Sequence, residues 1–171
     1  MDDYLHRSLT LQPGMASDLM SVVTNVGTFA MCAVILLVAL RKDRKVLTVM
    51  LVGSILNRLV VSVLKSWFDR DRPPVVDHLV HAAAAAMPSG HAANAAFVAV
   101  ALFVFVPRWR WWAVGGAGIV GLSRVLLGVH WPTDVLVGWF VGGVVSGVCV
   151  LCASPDFRRF RPRRSPVVIG S

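Results

Sequence analysis

Leu19 to Leu40 is a run of 22 residues without a charge. At about 1.5 Å per residue, a helix of that length crosses the roughly 30 Å hydrocarbon layer of a bilayer. Four comparable stretches follow: Val46 to about Phe68, Ser89 to Val106, Trp111 to Val129, and about Thr133 to Ala153. A 171-residue chain that devotes so much of itself to apolar runs leaves little for a water-soluble core. Its composition agrees: 56% of residues are hydrophobic and 15% charged, against about 25% charged in an average soluble domain. Mean hydropathy is +0.69. An ordinary soluble globule and a disordered tail protein are both excluded. The expected fold is all-α, a polytopic bundle of about five transmembrane helices. It divides into a short interfacial segment (1–18), a transmembrane domain (19–153) and a basic tail (154–171).

The net charge of +8 does not point to nucleic acid, because the basic residues sit in short clusters between apolar runs. Five spans place the knot Arg41-Lys42-Asp43-Arg44-Lys45, the Arg108/Arg110 cluster and the tail from Arg158 to Arg164 on one side, with eleven Lys/Arg between them. The other side carries four: Arg7, Lys65, Arg70 and Arg72. The positive-inside rule makes the first side cytoplasmic. The N-terminus, the loop over 69–87 and the turn at His130 then face outward. The first fifteen residues contain Asp2, Asp3, His6 and Pro13 and lack the basic start of a cleavable signal peptide. Cys32, Cys149 and Cys152 lie within apolar runs and read as small packing residues rather than a redox or metal pair. Trp109, Trp111 and Trp112 read as an interfacial aromatic belt. Small-residue stripes, such as Gly138, Gly142, Gly143 and Gly147, allow close helix packing within one chain rather than marking a dimer seam.

Charged residues at helix ends in a membrane are costly, so each is a candidate for function. Lys65 closes the second run and Arg72 follows seven residues later. Pro88-Ser89-Gly90-His91 opens the third run, Ser123-Arg124 sits near the end of the fourth, and His130 and Asp134 flank the start of the fifth. All fall on the outward side. Three cations with two histidines form an anion site, with phosphate as its natural occupant. Ser89 is placed as an N-cap, leaving the amides of Gly90, His91 and Ala92 at the positive end of a helix dipole. Pro132 suits a first helical turn, which puts Asp134 one turn beyond His130. There the carboxylate is expected to accept a ring N–H and leave the other nitrogen for attack.

Lys65-x6-Arg72-Pro73, Pro88-Ser89-Gly90-His91 and Ser123-Arg124-x5-His130-x3-Asp134 together resemble the three-part signature of the type 2 phosphatidic acid phosphatase superfamily. That superfamily also holds bacterial acid phosphatases and vanadium haloperoxidases. The resemblance covers about Leu19 to Ala153 and implies a metal-free, cofactor-free phosphatase working through a phosphohistidine. It makes His130 the nucleophile, Asp134 its orienting acid, and His91 the group that protonates the leaving oxygen. It gives Lys65, Arg72, Ser89, Gly90 and Arg124 the phosphoryl oxygens. Membrane members often have six spans, and against that pattern the first span is expected to be missing.

The substrate implied is a lipid phosphate, because the pocket lies at the membrane surface where helix gaps admit chains sideways. Polyprenyl diphosphate, or another polyprenyl-linked phosphate of the cell envelope, is preferred; phosphatidate or phosphatidylglycerophosphate is the alternative. A non-catalytic lipid-phosphate binder or transporter needs the cations, but it has no need of the His91, His130 and Asp134 set. Arg58, seven residues before Lys65 on the same helical stripe and about 10 Å deeper, is expected to hold a buried carbonyl; contact with a second phosphate or a place on the pocket wall is the other reading. Asp69, Arg70 and Asp71 are expected to be a solvated loop, and His78 and His81 loop histidines.

Overall fold

A computed structural model of the chain describes residues 44–73 and 85–153, with the isolated positions Val22 and Ala33. The expected first span, the knot before Arg44, His78, His81 and the tail lie outside the described residues. Among the described residues there are four α-helices and no strand: α1 (Arg44–Phe68), α2 (Gly90–Phe105), α3 (Arg110–Leu126) and α4 (Pro132–Ala153). A single 3₁₀ turn, Pro107–Trp109, joins α2 to α3. The four apolar runs read from the sequence fall on these helices to within a few residues.

The faces of α1 show why it suits lipid. Met50, Gly53, Asn57 and Val61 are buried at three- and four-residue spacing, one narrow stripe down a helix of 3.6 residues per turn. Leu51, Val52, Ile55, Leu59 and Val63 are exposed around the rest. In water such a surface would be a large apolar patch; against acyl chains it costs nothing. The helices Leu47–Phe68 and Pro132–Cys152 are long and apolar enough to cross a bilayer.

The centre of the bundle is α2, which packs most extensively on α4 and then on α3. Its inward residues are mainly alanine, with Phe97 and Leu102 filling the core beside Met50, Val120 and Val145. Small side chains bring backbones close, and α4 answers with glycine. A Cβ at Gly138 would sit 2.6 Å from the carbonyl oxygen of Ser89, and one at Gly142 would fall on the carbonyl of Ala93. Polar side chains tie the helices where water is absent. Ser146 Oγ donates to Phe97 O at 2.8 Å and Trp139 Nε1 to Ala117 O at 3.2 Å, the kind of interhelical bond that steadies packing in lipid.

This close approach makes a prediction. Gly142→Val forces α4 away from α2 and destabilises the protein by about 1–3 kcal/mol, as overpacking generally does. Gly143→Ala, whose Cβ meets nothing within 4 Å, stays within about 0.5 kcal/mol of the parent. Thermal unfolding in detergent, followed by tryptophan fluorescence, separates the two.

Candidate active site

The same end of the bundle gathers the ends of all four helices. α1 stops at Phe68; Asp69 then takes a left-handed conformation, φ 37°, with its amide bonded to Lys65 O at 3.0 Å. That reversal turns the polar segment back over the bundle. Arg72 Nη1 donates to Val129 O at 3.0 Å and Trp131 Nε1 to Asp71 O at 3.2 Å, docking the segment against the turn that precedes α4. In that turn Gly128 has φ 69°, a conformation glycine adopts without penalty. His130 follows it into the interior.

Asp134 is the hub of the cluster. It is fully buried, in the first turn of α4, and all of its acceptors are engaged. Oδ1 takes Arg70 Nη1 at 3.0 Å, Oδ2 takes the amide of Trp131 at 2.9 Å, and its backbone carbonyl takes the amide of Ser89 at 2.9 Å. The last bond joins the start of α2 to the start of α4. His130 Nδ1 lies 3.6 Å from Oδ2. The expected neighbours are therefore side by side, but at a separation longer than a hydrogen bond. With Nδ1 turned to the carboxylate, Nε2 is the ring nitrogen on the other side. Burial pushes the His130 imidazole below its ordinary 6.5; Asp134 pulls the other way, and Arg72 and Arg124 push down further. Burial likewise lowers Arg72, against the pull of Asp134.

The remaining expected residues converge on the same place. Arg124, His130, Lys65 and Arg72 all lie within electrostatic reach of His91. Lys65 Nζ donates to Ala85 O at 2.7 Å, which anchors its head and leaves two further N–H donors. Ser89 stands at the N-cap of α2, as expected, but its hydroxyl makes no cap bond. It is instead one of three buried polar groups in the cluster without a hydrogen-bond partner: Ser89 Oγ, Arg124 Nε and His130 Nδ1. Buried donors left unmatched are costly. A cavity of about 550 Å³ opens beside His91. Lys65, Gly90 and His91 line one part, and Arg58, Ser62 and Asn94 line the part further along α1 and α2.

Two features depart from the sequence reading. Arg70, placed in a solvated loop, bonds Asp134 and Thr133 Oγ1 and lies 5.4 Å over the ring of Trp131. Nothing local in the sequence marks it, because its partners are more than sixty positions away. Among the described residues no carbonyl accepts from Arg58, and its side chain lines the cavity instead.

The family model of the PAP2 superfamily matches residues 44–158. The chain belongs to this superfamily. It is 38% identical over 118 residues to phosphatidylglycerophosphatase B of Bacillus subtilis, covering 63% of this chain and 57% of that protein. It is 44% identical over 64 residues to an undecaprenyl-diphosphatase of Sulfolobus acidocaldarius, covering 37% of this chain and 31% of that protein. The matches thus span between about a third and three-fifths of these relatives. The crystal structure of a transmembrane PAP2-type phosphatidylglycerolphosphate phosphatase from Bacillus subtilis superposes with a TM-score of 0.75 at 29% identity, covering 94% of this chain and 87% of that one. LpxE of Aquifex aeolicus gives 0.73 at 21% identity over 86% of this chain and 93% of that one, a likeness of fold. Membrane-protein relatives and two span-length apolar helices together support a membrane location.

Arg70 makes the site testable by titration. Arg70→Gln leaves the Asp134 carboxylate less neutralised beside Nδ1, which favours the imidazolium. The His130 pKa therefore rises, as histidine-selective NMR in detergent would record. An unchanged or lower value would contradict the role given to Arg70. Folding stability follows the same linkage. A histidine held below its ordinary pKa takes up its proton more readily when unfolded. Its contribution is therefore intact above pH about 7 and lost as pH falls through 6.5.

Proposed function

We propose that this protein is a metal-independent lipid phosphatase that removes a terminal phosphoryl group through a phosphohistidine on His130. The observation that carries the reading is a buried histidine, its Nδ1 3.6 Å from Asp134, set among the unmatched Ser89 and Arg124 donors and the cation Arg72, with a cavity lined by Lys65, Gly90 and His91 beside the cluster. An anion binder needs the cations, but it gains nothing from a neutral buried imidazole held beside a carboxylate.

In the first displacement, His130 Nε2 attacks phosphorus and the bond from phosphorus to the lipid oxygen breaks. His91 gives its proton to the departing oxygen. Asp134 stabilises the positive charge that develops on the His130 ring, and Arg70 holds that carboxylate in place. In the second displacement, water attacks the same phosphorus and the bond to nitrogen breaks. His91, now neutral, takes the proton from that water. Lys65, Arg72, Arg124, the Ser89 hydroxyl and the Gly90 amide stabilise the three non-bridging oxygens throughout. Phosphoryl transfer depends mainly on such positioning and charge stabilisation, and two displacements at one nucleophile are covalent catalysis in its simplest form.

The site opens at the outward membrane surface, with the Arg108/Arg110 cluster and the basic tail cytoplasmic, and the chain crosses the bilayer several times. Polyprenyl diphosphate is the preferred substrate, in keeping with the similarity to an undecaprenyl-diphosphatase. Phosphatidylglycerophosphate is the second reading, favoured by the longer match to the Bacillus phosphatase and its crystal relative.

Phosphate release by the detergent-purified protein tests this reading. His130→Ala, still folded, loses turnover; His91→Ala loses on the order of 10²–10⁴-fold, as expected for a general acid–base; Asp134→Asn loses less than His130→Ala. EDTA leaves the rate unchanged. Turnover by folded His130→Ala at the parent rate would overturn the mechanism, and inhibition by EDTA would overturn its metal independence.

A further inference from the structure

The mechanism uses one end of the cavity and leaves Arg58 without a task. Arg58 lies seven residues before Lys65 on the same stripe of α1, about 10 Å further along the helix. It is exposed to the cavity rather than packed, within a helix of membrane-crossing length. Among the described residues it forms no ion pair. An arginine in such a position is costly unless something compensates its charge.

The polar part of the remaining lining also offers donors, from α1 itself and from α2 opposite. Asn57 is fully buried on the inner stripe, and its Nδ2 donates to Asn94 Oδ1 at 2.8 Å. That bond fixes the Asn94 amide with its oxygen occupied and its two N–H donors left for the cavity. Ser62 contributes a hydroxyl from α1. The described lining contains no carboxylate. A cavity that offers a guanidinium, an amide N–H₂ and a hydroxyl, and no acid, selects a second anion. Because it is continuous with Lys65 and His91, that anion belongs to the molecule whose phosphate is being removed.

We propose that Arg58 and Asn94, with Asn57 positioning Asn94, form a subsite for a second phosphoryl group of the same lipid. This group lies deeper in the bundle than the one that reacts. The inference rests on the phosphatase reading and extends it: the subsite makes the enzyme prefer lipids bearing two phosphoryl groups to lipids bearing one. The shared chemistry has two sources, an adjacent phosphoryl group in a diphosphate or a phosphodiester beyond a short linker.

The test compares kcat/KM within two substrate pairs: farnesyl diphosphate with farnesyl phosphate, and phosphatidylglycerophosphate with phosphatidate. The members of the first pair differ by the second phosphoryl group alone, and those of the second pair by that group together with the glycerol linker. The parent protein prefers the two-phosphoryl member of at least one pair. Arg58→Gln and Asn94→Leu each narrow that preference, Arg58→Gln by on the order of tenfold to a hundredfold, the usual worth of a hydrogen bond to a charged group. Arg58→Lys restores part of it. The pair that responds identifies the source of the second phosphoryl group. If both variants slow the two members of each pair by equal factors, the subsite is wrong while the phosphatase reading stands. If the folded parent releases phosphate from none of the four lipids, the phosphatase reading fails, and the subsite with it.

Discussion

The buried carboxylate of Asp134 is the constraint on which the rest of this end of the molecule depends. A carboxylate in a low-dielectric interior is stable only when its charge is met and its lone pairs are filled. Arg70 and the Trp131 amide meet that demand, and the Asp134 backbone carbonyl binds the start of α2. One residue thereby connects the polar segment after α1, the N-terminus of α2, the turn before α4 and α4 itself. His130 inherits its setting from this arrangement: it is 2% exposed, its Nδ1 faces a negative group, and guanidinium groups lie around it.

Helix packing supplies the rigidity that such a hub needs. Alanine on α2 and glycine on α4 bring the two backbones together just below the hub. The Ser89 amide can therefore reach across from one helix start to the other. A wider separation would break that bond and leave the amide unpaired. Sequence patterning on the lipid side is almost featureless by comparison, because any large apolar side chain serves there. The informative residues are the small and the polar ones on the inner stripes.

Much of this was legible in the sequence. The helix positions followed from the lengths of the apolar runs and from the proline, glycine and charge clusters between them, which act locally. The convergence of Lys65, Arg72, His91, Arg124 and His130 followed from their positions at helix ends on one side, given antiparallel neighbours. Three particulars were not legible. Arg70 sits in a run of alternating charges that any solvated loop could contain, and only tertiary folding brings it to Asp134. The Ser89 hydroxyl occupies a capping position yet makes no cap bond and stays buried without a partner, which the capping pattern alone does not foretell. The 3.6 Å gap between His130 and Asp134 depends on how Arg70 and Trp131 share the carboxylate, which no spacing rule encodes.

The central claim, that this cluster is a covalent phosphoryl-transfer site rather than an anion-binding pocket, is tested most directly by trapping the intermediate. The protein is mixed with lipid labelled in its terminal phosphoryl group, quenched in alkali after milliseconds to seconds, digested and sequenced by mass spectrometry. The account predicts a base-stable, acid-labile phosphoryl group on the peptide containing His130, on its ring nitrogen. Label on a different residue, or steady turnover with none trapped on His130 at any time, would contradict it.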